Sequence, residues 1–210
     1  MLRNAPPAPA QGIRLACEEG PTFAGPLQAM RLTTPFQAPA RAPLAGGPGL
    51  LAGAAAGTLG VWVLDRIDWF LFRREPASSR ERTRRIRPGG EPPSHVLAGL
   101  AERALGLRSS PMRHEALGTA IHYAIGVVPA AFYGALRGRY PGLTAGRGTA
   151  FGLGGFVLLD EIANAASGLA APLHKYPWQA HARSLVAHAA YGLVTETALR
   201  AIDRRMARRS

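Results

Sequence analysis

Hydrophobic positions in this 210-residue chain gather into four long blocks separated by polar, Arg-rich or Pro/Gly-rich stretches. Residues 42–64 and 116–136 carry no charged side chain, and from Gly148 to His174 only Asp160 and Glu161 are charged. A fourth apolar block runs from His181 to Leu199. At about 1.5 Å per helical residue, such lengths match a hydrocarbon core about 30 Å thick. Trp62, Trp69 and Phe70, followed by Arg73 and Arg74, supply the aromatic and basic edge expected where a span meets water. The pattern predicts an all-α integral membrane protein, a four-helix transmembrane bundle with spans at about 49–72, 116–136, 149–171 and 181–199.

The remaining segments read differently. Residues 1–45, with runs such as APPAPAQG, are too poor in periodic apolar residues to build a core and predict a disordered tail. They hold no compact apolar stretch of the kind a secretory signal needs. Met30 is a candidate alternative start, which would make residues 1–29 an extension. Residues 73–93 read as a basic loop with turn punctuation. Residues 94–107 space Val96, Leu97, Leu100, Ala101, Ala104 and Leu105 at helical intervals, predicting a short amphipathic helix at the interface or on the bundle. The domain organisation expected is thus a tail over 1–45 and a transmembrane domain over 46–205.

Charge sharpens this picture without orienting it. The chain carries a formal charge of +12, nearly all of it from arginine. Arginine clusters at 73–87 and at 200–209, flanking apolar blocks, instead of lining one helix face between base-reading side chains. That distribution argues for a bilayer as partner and against nucleic acid. The cations divide evenly between the two sides of a four-span topology, so the positive-inside rule assigns no orientation. Cys17 is the single cysteine, which excludes an intrachain disulfide and a Cys-x-x-Cys site.

Each block carries one polar or small-residue stripe. Gly53 and Gly57 form a small-xxx-small spacing extended by Gly60, a candidate face for homo-oligomerisation. Asp65 and Asp68 share a side of the same helix near its end. In the second block Gly118, His122, Gly126, Pro129 and Tyr133 align, and Pro129 should kink the helix. In the third, Asp160, Asn164 and Ser167 align, with Glu161 about 100° away. In the fourth, His181, Ser184, His188, Gly192 and Thr195 align, with Glu196 beside them. Lipid-exposed carboxylates are costly, so the stripes are expected to turn inward, with His122 and His188 as partners for Asp160 or Glu161. The expected polar cluster is His122, Asp160, Glu161, Asn164, His188 and Glu196, with Asp65, Asp68, Tyr133 and His181 as secondary members. His181 and His188 are about 10 Å apart along one helix and cannot ligate one ion from it. Ser184 lies one turn from His188, but no third triad member or oxyanion motif accompanies the pair.

From His122 to Glu196 the chain resembles the YagU-like bacterial inner-membrane proteins. The resemblance rests on the spacing of His122, Tyr133, Pro141, Gly148, Gly152, Gly168-Leu169, Pro172, Pro177-Trp178, His188 and Glu196. It extends less specifically to the GLLAGAAAG span and covers about residues 48–205. The family pattern also carries His where this chain has Asp160, and an acid where it has Ser184. The resemblance implies a multi-pass inner-membrane protein of unknown activity, loosely tied to acid tolerance, and supplies no catalytic residue. The expectation is a non-enzymatic protein without cofactor or metal, whose His/Asp/Glu cluster responds to protons or guides an ion. The competing expectations are a structural membrane protein and a membrane-embedded metal site or enzyme.

Overall fold

The computed structural model describes residues 43–209, which belong to the unit Arg41–Ser210. The tail expected over 1–45, the alternative start at Met30 and Cys17 lie almost wholly outside the described residues. Among those described, regular structure is helical throughout. Helix α1 spans Gly46–Phe72, α2 Ala77–Ile86, α3 Pro93–Ala104 and α4 Pro111–Leu136. Helix α5, Thr149–Gly155, continues without a break into a π-helical stretch, Phe156–Ala163, and a last short turn α6, Asn164–Ala166. Helix α7 spans Trp178–Ala207.

Side-chain pairs fix the topology. Gly53 meets Ala130 and Ala131, and Asp65 meets His122, so α1 and α4 run antiparallel. Gly60 meets Thr195, and Asp68 meets Arg183, so α1 and α7 are also antiparallel. Gly152 lies on Gly192, and Glu161 meets His181, so the third rod runs against α7. The four long rods therefore go up and down in turn, with α1 packed between α4 and α7 and α5 packed on α7. One end carries α2, α3 and the 167–177 connection. The other carries the 137–148 connection and the ends of α1 and α7.

Glycine makes these contacts close. A Cβ on Gly53 would collide with the Ala130 carbonyl, and one on Gly152 with the His188 carbonyl. Backbones thus touch where small residues alone permit it, as in helices packed within lipid. The Gly53/Gly57 face, expected to be open to a second copy, is covered by α4 of the same chain. The core is correspondingly small-sided: Ala52, Ala56, Ala130 and Ala187 are buried with Val61, Tyr133, Tyr191 and Leu199. Large apolar side chains such as Leu51, Trp62, Phe132, Leu158 and Ile162 are instead exposed on the outer faces.

Several expectations need correcting. Residues 77–86 form a helix where a loop was expected, because no Gly or Pro interrupts them and Arg84 and Arg85 suit the negative end of the helix dipole. Its small buried face, Ser79 and Thr83, packs inward. The third rod ends at Ala166, short of the expected 171, where Gly168 turns the chain with φ +74°. Helix α4 runs through Pro129 as one element; the Tyr191 hydroxyl donates to the Gly126 carbonyl, 2.7 Å away, in the turn before the proline. Of the four spans expected, two helices among the described residues, α1 and α4, are long and apolar enough to cross a membrane. The third rod is interrupted by its π-helical stretch, and α7 carries His181, Arg183, His188 and Glu196 along its apolar run.

Candidate functional site

Where α1 ends, α4 begins and the third rod closes against the start of α7, the bundle leaves a cavity of about 780 Å³. Its inner end is made by Phe151 and Tyr191, whose ring centres are 5.6 Å apart. Tyr133 stacks below Phe151 at 4.3 Å, so an aromatic layer closes the cavity off from the rest of the core.

Three histidine-containing groups line this space. His122 Nε2 lies 2.8 Å from Asp65 Oδ1, joining α4 to α1. His181 Nδ1 lies 2.6 Å from Glu161 Oε1, and its Nε2 is 3.2 Å from the Leu173 carbonyl. Both partners of that ring are acceptors. Ser184 Oγ donates to Asp160 Oδ2, while Asn164 Nδ2 holds the other oxygen at 3.5 Å and the Asp160 carbonyl at 3.3 Å. His188 Nδ1 donates to the Ser184 carbonyl at 2.9 Å, which leaves Nε2 as its free ring nitrogen.

Asp160 and Glu161, consecutive residues of the π-helical stretch, both line the cavity.

Arginines complete the mouth. Arg183, 6% exposed, donates from Nε to Asp68 Oδ1 at 2.7 Å and from its terminal nitrogen to Glu75 Oε1, above the Phe72 ring. Ser79 Oγ holds the other Glu75 oxygen at 2.9 Å. Arg87 also lines the cavity, and burial, then the nearby Arg183 charge, pull its pKa below the ordinary guanidinium value.

The expected cluster is only partly assembled. His122, Asp160, Glu161, Asn164 and His188 share the cavity with Asp65, Asp68 and His181. The pairing differs from the one expected: His122 takes Asp65, Glu161 takes His181, and Asp160 takes Ser184. Glu196 and Tyr133 lie beyond the aromatic layer in a separate network. There Glu196, 1% exposed, accepts from Tyr133 Oη at 2.7 Å, from Arg137 at 3.1 Å and from Arg200 Nε at 2.6 Å. Arg137, 3% exposed, also pairs with Asp203. Arg137 and Asp203 escape sequence reasoning because they sit beyond the apolar blocks, where charged residues read as membrane-edge residues. Arg183 alone had a signal, as a cation inside an apolar block.

No family model, curated protein or solved structure matches this chain. The cavity is therefore read on its own chemistry. It combines a fixed carboxylate, a histidine with a free ring nitrogen and two His–carboxylate pairs in one space beneath exposed apolar surfaces.

Proposed function

We propose that this chain is a multi-pass inner-membrane protein whose cavity accepts and passes protons, or guides a small cation, by way of His122–Asp65, Glu161–His181 and Asp160–Ser184–His188. The observation that carries the reading is the convergence of these groups, from all four long rods, on one 780 Å³ space. Ionisable residues within spans are costly unless they pair or serve a pathway, and these do pair. Large apolar residues on the outside and small or polar ones inside support four rods in a bilayer, including the third rod, which lacks an uninterrupted α-helix of spanning length, and α7, which carries more polar residues. The likeness in spacing to YagU-like proteins is consistent with this assignment and with a role under acid stress. Gly148 and Gly152, two positions of that likeness, are where α5 touches α7.

In the proposed path, His188 Nε2 takes a proton, and rotation of the Ser184 hydroxyl links it to Asp160. No covalent chemistry is required, and the protein is read as non-enzymatic. The test is proton flux in liposomes reconstituted with the full chain. Asp160→Asn and His188→Ala should each lower flux several-fold while the protein remains folded by circular dichroism. Unchanged flux in both variants would leave the cluster a packing device. That outcome would favour the structural reading, which the closed network around Glu196 already exemplifies.

A further inference from the structure

Most charges on the cavity wall are spoken for. Asp65 is held by His122, Asp68 by Arg183, Glu161 by His181, and Asp160 by Ser184 and Asn164. Arg87 is different: half-buried at the C-cap of α2, its side chain makes no hydrogen bond, ion pair or ring contact among the described residues. One turn earlier on the same helix face, Thr83 also lines the cavity. It is 0% exposed, and its Oγ1 has no hydrogen-bond partner. Asp68 and Asp160 attract the Arg87 guanidinium from a distance, but none of the described residues hydrogen-bonds it. A buried hydroxyl without a partner and a desolvated guanidinium without a hydrogen-bonded partner are each unfavourable unless a ligand completes them.

We infer that Arg87 and Thr83 hold a phosphate group, presented either by a lipid headgroup or by the free ion. The planar guanidinium can donate two parallel hydrogen bonds to one phosphate, and the threonine hydroxyl supplies a third to another oxygen. Arg183 lies close enough to raise the local potential while remaining tied to Asp68 and Glu75. Deeper in the cavity, Val61, Leu64, Ile125 and Leu159 form an apolar wall. That wall would take an acyl chain and favours the lipid source. A volume of 780 Å³ lies within the range of sites that enclose most of a small ligand. The inference rests on the membrane reading for its ligand but not on proton transfer.

The test uses the full chain in a non-ionic detergent, with the fluorescence of Trp69 on the cavity wall as readout. The probes are dioctanoyl phosphatidic acid, dioctanoyl glycerol, which lacks phosphate, and inorganic phosphate. Phosphatidic acid should bind about ten-fold or more tightly than dioctanoyl glycerol, the scale of one charge-assisted hydrogen bond. Arg87→Gln should remove that preference and Thr83→Val should weaken it. Ligand-free Arg87→Gln should also melt higher than the parent, because it removes a desolvated charge that lies beside Arg183, and these two effects outweigh the pull of Asp68 and Asp160. That rise separates loss of a site from loss of the fold. Phosphatidic acid binding more tightly than inorganic phosphate assigns the site to a headgroup; equal binding assigns it to the free ion. Equal binding of phosphatidic acid and dioctanoyl glycerol, or a preference that survives Arg87→Gln, overturns the inference whatever the flux measurements show.

Discussion

At the Arg137 end of the bundle, Glu196 is 1% exposed and accepts from Tyr133, Arg137 and Arg200. At the opposite end, Asp160 is held by Ser184 and Asn164 beside a space of about 780 Å³. Both regions put carboxylates inside an apolar bundle, yet one is sealed and the other has room for water or a ligand. The difference lies in the backbones. Around Glu196, the Gly53/Ala130 and Gly148/Gly192 contacts bring helices together until no space remains. Past the Tyr133–Phe151–Tyr191 layer the third rod goes over to π-helix, and α4 and that rod form opposite walls of a cavity. Buried charge therefore does two jobs in this chain, and helix closure selects which.

Glu196→Ala tests the contrast most severely. It leaves Arg137 buried with Asp203 as its remaining ion-pair partner, and breaking a buried pair in this way costs about 3–5 kcal/mol. Thermal unfolding in detergent should show the largest drop of any variant here. A loss below about 1 kcal/mol, typical of a solvated pair, would mean that water reaches this end too and the two regions are alike.

Gly152→Leu attacks the seam itself. Its side chain meets the His188 carbonyl and the Gly192 backbone, which have no slack, so overpacking of about 1–3 kcal/mol is expected. Gly154→Ala is the control. Its Cβ would meet nothing within 4 Å, so the more helix-prone alanine should stabilise by about 0.5–1 kcal/mol. The same melting curves check both, and equal signs would remove the close-contact explanation.

Asp65→Asn probes the open end. Both members of the His122–Asp65 pair are about a third exposed, so removing the charge should cost less than about 1 kcal/mol, the value of a solvent-accessible pair. A double-mutant cycle with His122→Gln measures the coupling directly. A coupling as large as the loss at Glu196 would mean that the cavity is dry.

The four rods were legible in the sequence because their apolar runs are long. The expected starts at 49, 116 and 181 fall within a few residues of α1, α4 and α7. Inward-facing stripes were legible too, but pairing was not. A helical wheel gives a residue's direction and omits its height. Glu196 lies eight residues beyond His188, about 12 Å along the axis, so the two could not share a layer. Tyr133 lies eleven residues beyond His122, about 16 Å along its axis, and is separated in the same way. Helix α2 was hidden by its charge, since a helix of Arg, Glu and Ser without an apolar face looks like a loop until Thr83 and Ser79 are seen packing inward. The π-helical stretch, which carries both Asp160 and Glu161 of the cavity wall, leaves no compositional trace.

The smallest effect concerns the hairpin of α3 and α4 that stands beside the cavity mouth. His114 bridges Glu102 at 2.9 Å and Glu91 at 3.3 Å, tying both sides of the hairpin together. The hydrogen bond from His114, and then the nearby Ser109 hydroxyl, hold the Glu102 carboxyl below its ordinary value of 4.5. A carboxylate whose pKa is depressed on folding adds stability that is present in full above the unfolded value. That stability fades as pH falls through the folded one. The tie should therefore be intact at pH 6 and weaken below pH 4.5 as Glu102 takes up a proton. Amide exchange in α3, corrected for intrinsic rates, should rise across that window in the parent chain. Glu102→Gln should already exchange faster at pH 6 and show a smaller step, since its neutral side chain cannot titrate. If both proteins show the same step, the acid response of this end belongs to the cavity carboxylates and not to the hairpin.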